Sequence, residues 1–204
     1  MLNQLDDKAT ETIRKAAAAV VRLHTDFRKE KSGRSGNLPV PYFFHPFDVA
    51  KRLYHWGQAT VPRIIAALGH DLIENLKLTP EDLFTEFGRS PGVGEGINII
   101  INLTFLPPED ISEQEAAALK AAYIEKLAGL SIDNIIVKEA DRYCNAKDFE
   151  VAKPNYAKKY FYKALPIHKA LILRQQELNG YEENWPIIRK DLAEFLDKSG
   201  LVLG

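Results

Sequence analysis

The sequence predicts an all-α fold on three observations. Apolar residues recur at helical spacing in successive segments, those segments start and stop on capping residues, and no alternating strand pattern with turn chemistry appears. Ile13, Ala16, Ala17, Val20, Leu23 and Phe27 form one apolar face, which predicts a helix from about Asp6 to Phe27. The text from Arg28 to Pro41 has bases, glycines, serines and prolines without period, and reads as a loop. Its cations Arg28, Lys29, Lys31 and Arg34 make it an anion-seeking one.

After Pro46 a short helix on Phe47, Val49, Ala50 and Leu53 is expected to stop near Gly57. Thr60 is a fitting N-cap for the next helix, with Pro62 in the first turn, where a missing N–H costs nothing. That helix carries Ile64, Ile65, Ala67 and Leu68 and delivers His70 and Asp71 near its far end. Thr79-Pro80-Glu81-Asp82 reads as another start, running to Phe87 and Gly88. The glycines and prolines from Arg89 to Gly96 read as a loop ahead of a helix built on Ile97, Ile100 and Ile101. Ser112 with Glu115 has the capping-box spacing for a helix through Leu127, and Ser131 caps the one that carries Ile135, Ala140, Asp141 and Cys144 inward. One further helix is expected from about Asn155 to Leu178, stopped by Asn179-Gly180, and a last from about Trp185 to Lys198.

A chain of 204 residues is long enough to bury a core, and a single helical-bundle domain over 1–204 is expected, its core about 6–178 and its C-terminal helix about 185–198. The formal net charge of −1 argues against an extended nucleic-acid surface, which needs a strongly basic face. Cys144 is the sole cysteine, so no intrachain disulfide can form and a reduced cytoplasmic setting is the simplest reading. The start MLNQLDDKATETIRK lacks the pattern of a signal peptide, and no stretch approaches the ~20 apolar residues of a membrane span. No membrane partner is expected, and the oligomeric state is left open.

Three pieces of text carry chemistry: Phe44-His45-Pro46, Gly69-His70-Asp71-Leu72-Ile73-Glu74, and Ala140-Asp141-Arg142-Tyr143-Cys144-Asn145. Two imidazoles and two carboxylates, from His45, His70, Asp71 and Asp141, suit a borderline divalent cation such as Mn²⁺, Fe²⁺, Co²⁺ or Zn²⁺ with positions left open. Glu74, four residues after His70, is expected one turn on along the same face, where it would serve the attacking water. Lys138, Asp141, Arg142 and Asn145 share a helix face, and cationic and amide donors beside a metal ligand point to phosphate chemistry. His24, His55 and His168 lack ligand-spaced partners and are assigned to packing or the surface; Trp56, Trp185, Phe161 and Tyr162 are read as core or rim.

The order His, then His-Asp, then a distant Asp resembles the HD metal-dependent phosphohydrolases. It is closest to the hydrolase domain of the RelA/SpoT homologues and their small alarmone hydrolases, including the metazoan SpoT homologue type. The resemblance runs through Phe27-Arg28-Lys29, Tyr42-Phe43-Phe44-His45-Pro46, Ala66-Ala67-Leu68-Gly69-His70-Asp71-Leu72-Ile73-Glu74, Thr79 to Gly88, and Val137-Lys138-Glu139-Ala140-Asp141-Arg142. It implies a Mn²⁺-dependent enzyme that removes the 3′-pyrophosphate from guanosine tetra- or pentaphosphate (ppGpp). By that resemblance His45, His70, Asp71 and Asp141 are metal ligands and Glu74 the catalytic acid. Arg28 and Lys29 are then nucleobase and phosphate contacts, Asn145 a ribose contact and Tyr160 a pocket tyrosine, with Lys138 and Arg142 offsetting phosphate charge.

Two departures stand out. Asn75 replaces the carboxylate that the family usually places after Glu74, and Lys31 to Val40 lengthen the basic loop. Asn75 therefore belongs to the candidate catalytic pair, and slow alarmone turnover or preference for another nucleotide is expected. The alternatives are a phosphohydrolase of a nucleoside monophosphate or dinucleotide phosphate, and a catalytically silent nucleotide-binding regulator. No synthetase-like segment follows, so a bifunctional enzyme is not expected.

Overall fold

A computed structural model describes residues 6–27 and 41–199. Among the described residues there are eleven α-helices, one 3-10 turn and no strand, which bears out the all-α expectation. The chain divides into two compact units, Met1–Thr104 and Phe105–Gly204.

The first unit holds α1 (Asp7–Phe27), α2 (Phe44–His55), α3 (Val61–Gly69), α4 (Leu72–Leu76), α5 (Pro80–Phe87) and α6 (Val93–Leu103). Its centre is α3, which packs against α1, α2 and α6. Ile64, Ile65, Ala66, Ala67 and Leu68 are buried in succession, as a helix surrounded by others requires. The Thr60 hydroxyl accepts from the Arg63 amide at 3.4 Å and starts this helix. Thr79 and Asp82 complete a capping box on α5, with the Asp82 carboxylate 2.8 Å from the Thr79 amide and the Thr79 hydroxyl 3.2 Å from the Asp82 amide.

Two starts in this unit differ from expectation. Helix α2 begins at Phe44, ahead of Pro46, so His45 stands in its first turn, where proline's missing N–H is harmless. Helix α6 begins at Val93, so Gly94 and Gly96 lie inside it. Gly96 is there because α3 passes too close for a side chain: a Cβ would lie 2.6 Å from Ile65 Cγ2 and 2.9 Å from the Pro62 carbonyl oxygen.

The second unit holds α7 (Glu113–Ala128), α8 (Ile132–Ala152), α9 (Pro154–Tyr162), α10 (Leu165–Leu173), a 3-10 turn at Gln175–Glu177, and α11 (Tyr181–Ser199). Helix α8 is its spine, with α9 and α10 packed on it and Ile135, Ile136, Val137, Ala140 and Tyr143 buried. The Ser112–Glu115 capping box forms as expected. Ser131 sits at the start of α8 without a side-chain cap, and its hydroxyl accepts from the Asn134 side-chain Nδ2 at 2.7 Å instead.

The single helix expected over 155–178 is broken into α9, α10 and the 3-10 turn. Pro166 explains the break, since it has no N–H to donate to the carbonyl four residues back and its ring would clash there in a continuing helix, so it stands in the first turn of α10 instead of continuing α9. Helix α11 starts four residues before Trp185, directly after Gly180, whose φ of 56° permits the sharp turn. Among the described residues no helix is long and apolar enough to cross a membrane.

Candidate metal and phosphate site

In the first unit two imidazoles meet. His45 and His70 are both 3% exposed, and their ring centroids lie 5.1 Å apart at 71°. His70 follows directly on α3, and its Nδ1 lies 2.8 Å from the Ala67 carbonyl oxygen. A carbonyl only accepts, so Nδ1 carries the proton and Nε2 presents a lone pair, the arrangement by which proteins orient a metal-binding histidine. His70 Nε2 and Asp71 Oδ1 are 3.1 Å apart. Two donors at right angles on one ion, each at about 2.1–2.2 Å, would be separated by about 3 Å. The far oxygen of Asp71 is also held, as Oδ2 accepts from the Tyr42 hydroxyl. This donor set fits a divalent cation.

Sequence periodicity misplaced Glu74. Helix α3 ends at Gly69 and α4 begins at Leu72, so Glu74 rides a separate short helix, half-buried, rather than the next turn of the helix bearing His70. The close approach of Ile100, whose Cδ1 would lie 2.5 Å from a Cβ on Gly69, explains the glycine at the last residue of α3. Asn75 is exposed, and its amide Nδ2 lies 3.3 Å from the Tyr42 hydroxyl.

In the second unit two successive turns of α8 present Lys138, Asp141, Arg142 and Asn145. Asp141 is 4% exposed, and both its oxygens are engaged: Lys138 Nζ lies 2.8 Å from Oδ2, and Asn145 Nδ2 donates to Oδ1 at 2.6 Å. Burial lowers the Lys138 pKa most, but Asp141 with Tyr123 and Tyr160 outweighs it, and the ammonium stays charged well above its ordinary range. Arg142 lies over the Tyr160 ring at 4.7 Å. Burial pushes the Tyr160 phenol up to about 12 against the opposing charge of Arg142. The structure thus brings Lys138, Arg142, Asn145 and Tyr160 around Asp141 within this unit. Arg28 and Lys29 lie outside the described residues.

Sequence reasoning missed two features. Tyr42 stands three residues before His45 in the His-Pro motif, yet nothing in the text of that motif gives it a chemical role. Glu139, wholly buried, pairs with His168 at 2.7 Å, and no ligand-like spacing announces a partner 29 residues away.

No protein-family model matches the chain. It is 26% identical over 175 residues to the guanosine-3′,5′-bis(diphosphate) 3′-pyrophosphohydrolase of Vibrio cholerae, which covers 85% of this chain and 24% of that protein. It is 30% identical over 116 residues to the zebrafish (Danio rerio) protein of the same activity name, covering 56% of this chain and 59% of the relative. The chain is similar to guanosine-bis(diphosphate) pyrophosphohydrolases. The resemblance seen in its motifs is borne out as that likeness, although the chain spans only about a quarter of the length of the Vibrio relative. A bifunctional (p)ppGpp synthase/hydrolase of Escherichia coli is 26% identical over 147 residues, 72% of this chain and 20% of its own. Among solved structures, one described as a metazoan ortholog of SpoT that hydrolyzes ppGpp has a TM-score of 0.66 at 22% identity, over 98% of this chain and 99% of that one. That likeness is one of fold.

Proposed function

We propose that this chain is a metal-dependent phosphohydrolase that releases pyrophosphate from the 3′ position of guanosine bis(diphosphate). The observation that carries the reading is the convergence of His70 Nε2 and Asp71 Oδ1 at 3.1 Å, with the far atom of each side chain held by the Ala67 carbonyl or by Tyr42. The names of the relatives supply the substrate class. His45, His70, Asp71 and Asp141 are the proposed ligands of one ion, Mn²⁺ being the first choice and Fe²⁺, Co²⁺ or Zn²⁺ the others that this nitrogen and oxygen set accepts. Such an ion, when bound, polarises a phosphoryl oxygen and makes a water acidic enough to attack phosphorus near neutral pH.

The chain's own groups do the rest. Glu74 takes the proton of the attacking water, whose oxygen leaves in the pyrophosphate, and returns one to the ribose 3′-oxygen as its bond to phosphorus breaks. Arg142, permanently charged and stacked on Tyr160, offsets phosphate charge, with Arg28 and Lys29 assigned the same task. Lys138 and Asn145 hold the Asp141 carboxylate in place, beside their proposed contacts to substrate. One domain over the whole chain accords with a fold likeness that covers 98% of it, and a cytoplasmic setting is proposed from the single cysteine, Cys144.

The test is a panel of guanosine tetraphosphate, a nucleoside monophosphate and a dinucleotide phosphate with Mn²⁺, scoring phosphate and pyrophosphate separately. Pyrophosphate from the tetraphosphate is expected, with activity lost on chelation. Elemental analysis of His70→Ala and Asp141→Ala should show metal sharply reduced in both. Unchanged metal in both variants would end the four-ligand reading, and phosphate release from the monophosphate alone would end the substrate assignment.

A further inference from the structure

We infer that Tyr42 is a positioning residue for the Asp71 carboxylate, and that Asn75 is matched to it as the donor that directs its single hydroxyl proton. The inference rests on the reading of His70 and Asp71 as metal ligands, and extends it to residues that the ligand set does not include.

The phenol sits in the turn ahead of α2, between two imidazoles, with ring centroids 5.1 Å from His24 and 6.0 Å from His45. Its hydroxyl reaches Asp71 Oδ2, and the Asn75 amide nitrogen stands 3.3 Å from the same hydroxyl oxygen. An ionised carboxylate only accepts, so the one phenolic O–H belongs to Asp71. The phenolic oxygen can then only accept from its other neighbour, and an amide N–H is what it meets. The relay is directional, from Asn75 to Tyr42 to Asp71. Its result is a carboxylate pinned at Oδ2, with Oδ1 held 3.1 Å from His70 Nε2.

A carboxylate at position 75 would reverse this logic. Two acceptors, Asp71 and the new side chain, would compete for one hydroxyl proton, and whenever residue 75 won, Asp71 would lose its hold. Asn75 is therefore more than a missing carboxylate: with Tyr42 in place, a neutral donor is the side chain that keeps Asp71 anchored. The groups that orient metal ligands from behind typically contribute roughly 10–100-fold to metal affinity.

The experiment measures Mn²⁺ affinity by calorimetry on metal-stripped protein, beside kcat, KM and the melting temperature without metal. Tyr42→Phe keeps the ring between its two histidines and removes only the hydroxyl. It is expected to weaken Mn²⁺ binding by roughly 10-fold or more and to lower kcat with KM little changed. The metal-free melting temperature should stay close to that of the wild type. Asn75→Asp is then made in both the wild-type and the Tyr42→Phe backgrounds. The added charge acts on the ion alike in both, so any difference between the two affinity ratios isolates the contest for the proton. A ratio less favourable by roughly threefold or more in the wild-type background is expected. Wild-type affinity in Tyr42→Phe, or equal ratios in the two backgrounds, overturns the inference. His70→Ala separates the two levels: if it loses metal while Tyr42→Phe does not, only the inference falls, and if it keeps metal, the ligand reading falls and takes the inference with it.

Discussion

At the scale of single residues the sequence displayed ligand types clearly and their partners poorly. His45, His70, Asp71 and Asp141 stand out because two imidazoles and two carboxylates in short motifs form an unusual donor set. What holds them, the Ala67 carbonyl, the Tyr42 hydroxyl and the Lys138 and Asn145 side chains, follows only from coordinates. The clearest case is Glu139 with His168. His168 Nδ1 lies 2.7 Å from the carboxylate, its Nε2 lies 3.2 Å from the Phe161 carbonyl oxygen, and its ring stacks on Phe161 at 4.2 Å. One imidazole thereby ties α8 and the end of α9 to α10. Both side chains are removed from water, so loss of either leaves the other polar and stranded. His168→Leu should destabilise the fold by about 3–5 kcal/mol, whereas Glu139→Leu with His168→Leu should recover most of that loss. Urea unfolding of the single and double variants checks this; equal losses in both would show that the pair's polarity is not what matters.

Among elements, helices with local punctuation were legible. Thr60, Thr79 and Ser112 announce α3, α5 and α7, because their hydroxyls satisfy amides that the first turn leaves open. Starts decided by a neighbouring helix were not. Glycines at 92, 94 and 96 read as loop text, yet the last two are helical, and Gly96 is small because α3 leaves it no room. The long apolar run after Asn155 read as one helix because its period continues across Pro166, and the ring's steric demand overrides the period. The close α3–α6 contact gives its own expectation. A methyl at position 96 would strike both a side chain and the Pro62 backbone, and the backbone cannot swing aside. Gly96→Ala should therefore cost about 1–3 kcal/mol, as overpacking does, despite alanine's better helix propensity. Thermal unfolding of this variant equal to or above the wild type would show that the two helices separate at little cost.

For the whole molecule, the proposed metal site would link metal binding to folding. The proposed ligands come from α2, from the chain just after α3, and from α8, segments up to 96 residues apart in sequence. An unfolded chain would hold no such set together, so an ion held by these residues would favour the folded state by mass action. At a free Mn²⁺ concentration 100 times the dissociation constant, the gain is about 2.7 kcal/mol. For a chain of this length each kcal/mol moves the melting temperature by about 2–4 °C, so a rise of roughly 5–10 °C is expected over the chelated protein. If the chain unfolds as one domain, circular dichroism and tryptophan fluorescence should report the same shifted midpoint, since Trp56 lies in the first unit and Trp185 in the second. The shift should vanish in His70→Ala and in Asp141→Ala, because each removes a ligand. A rise of equal size in both variants would mean that Mn²⁺ stabilises the chain somewhere other than at these residues.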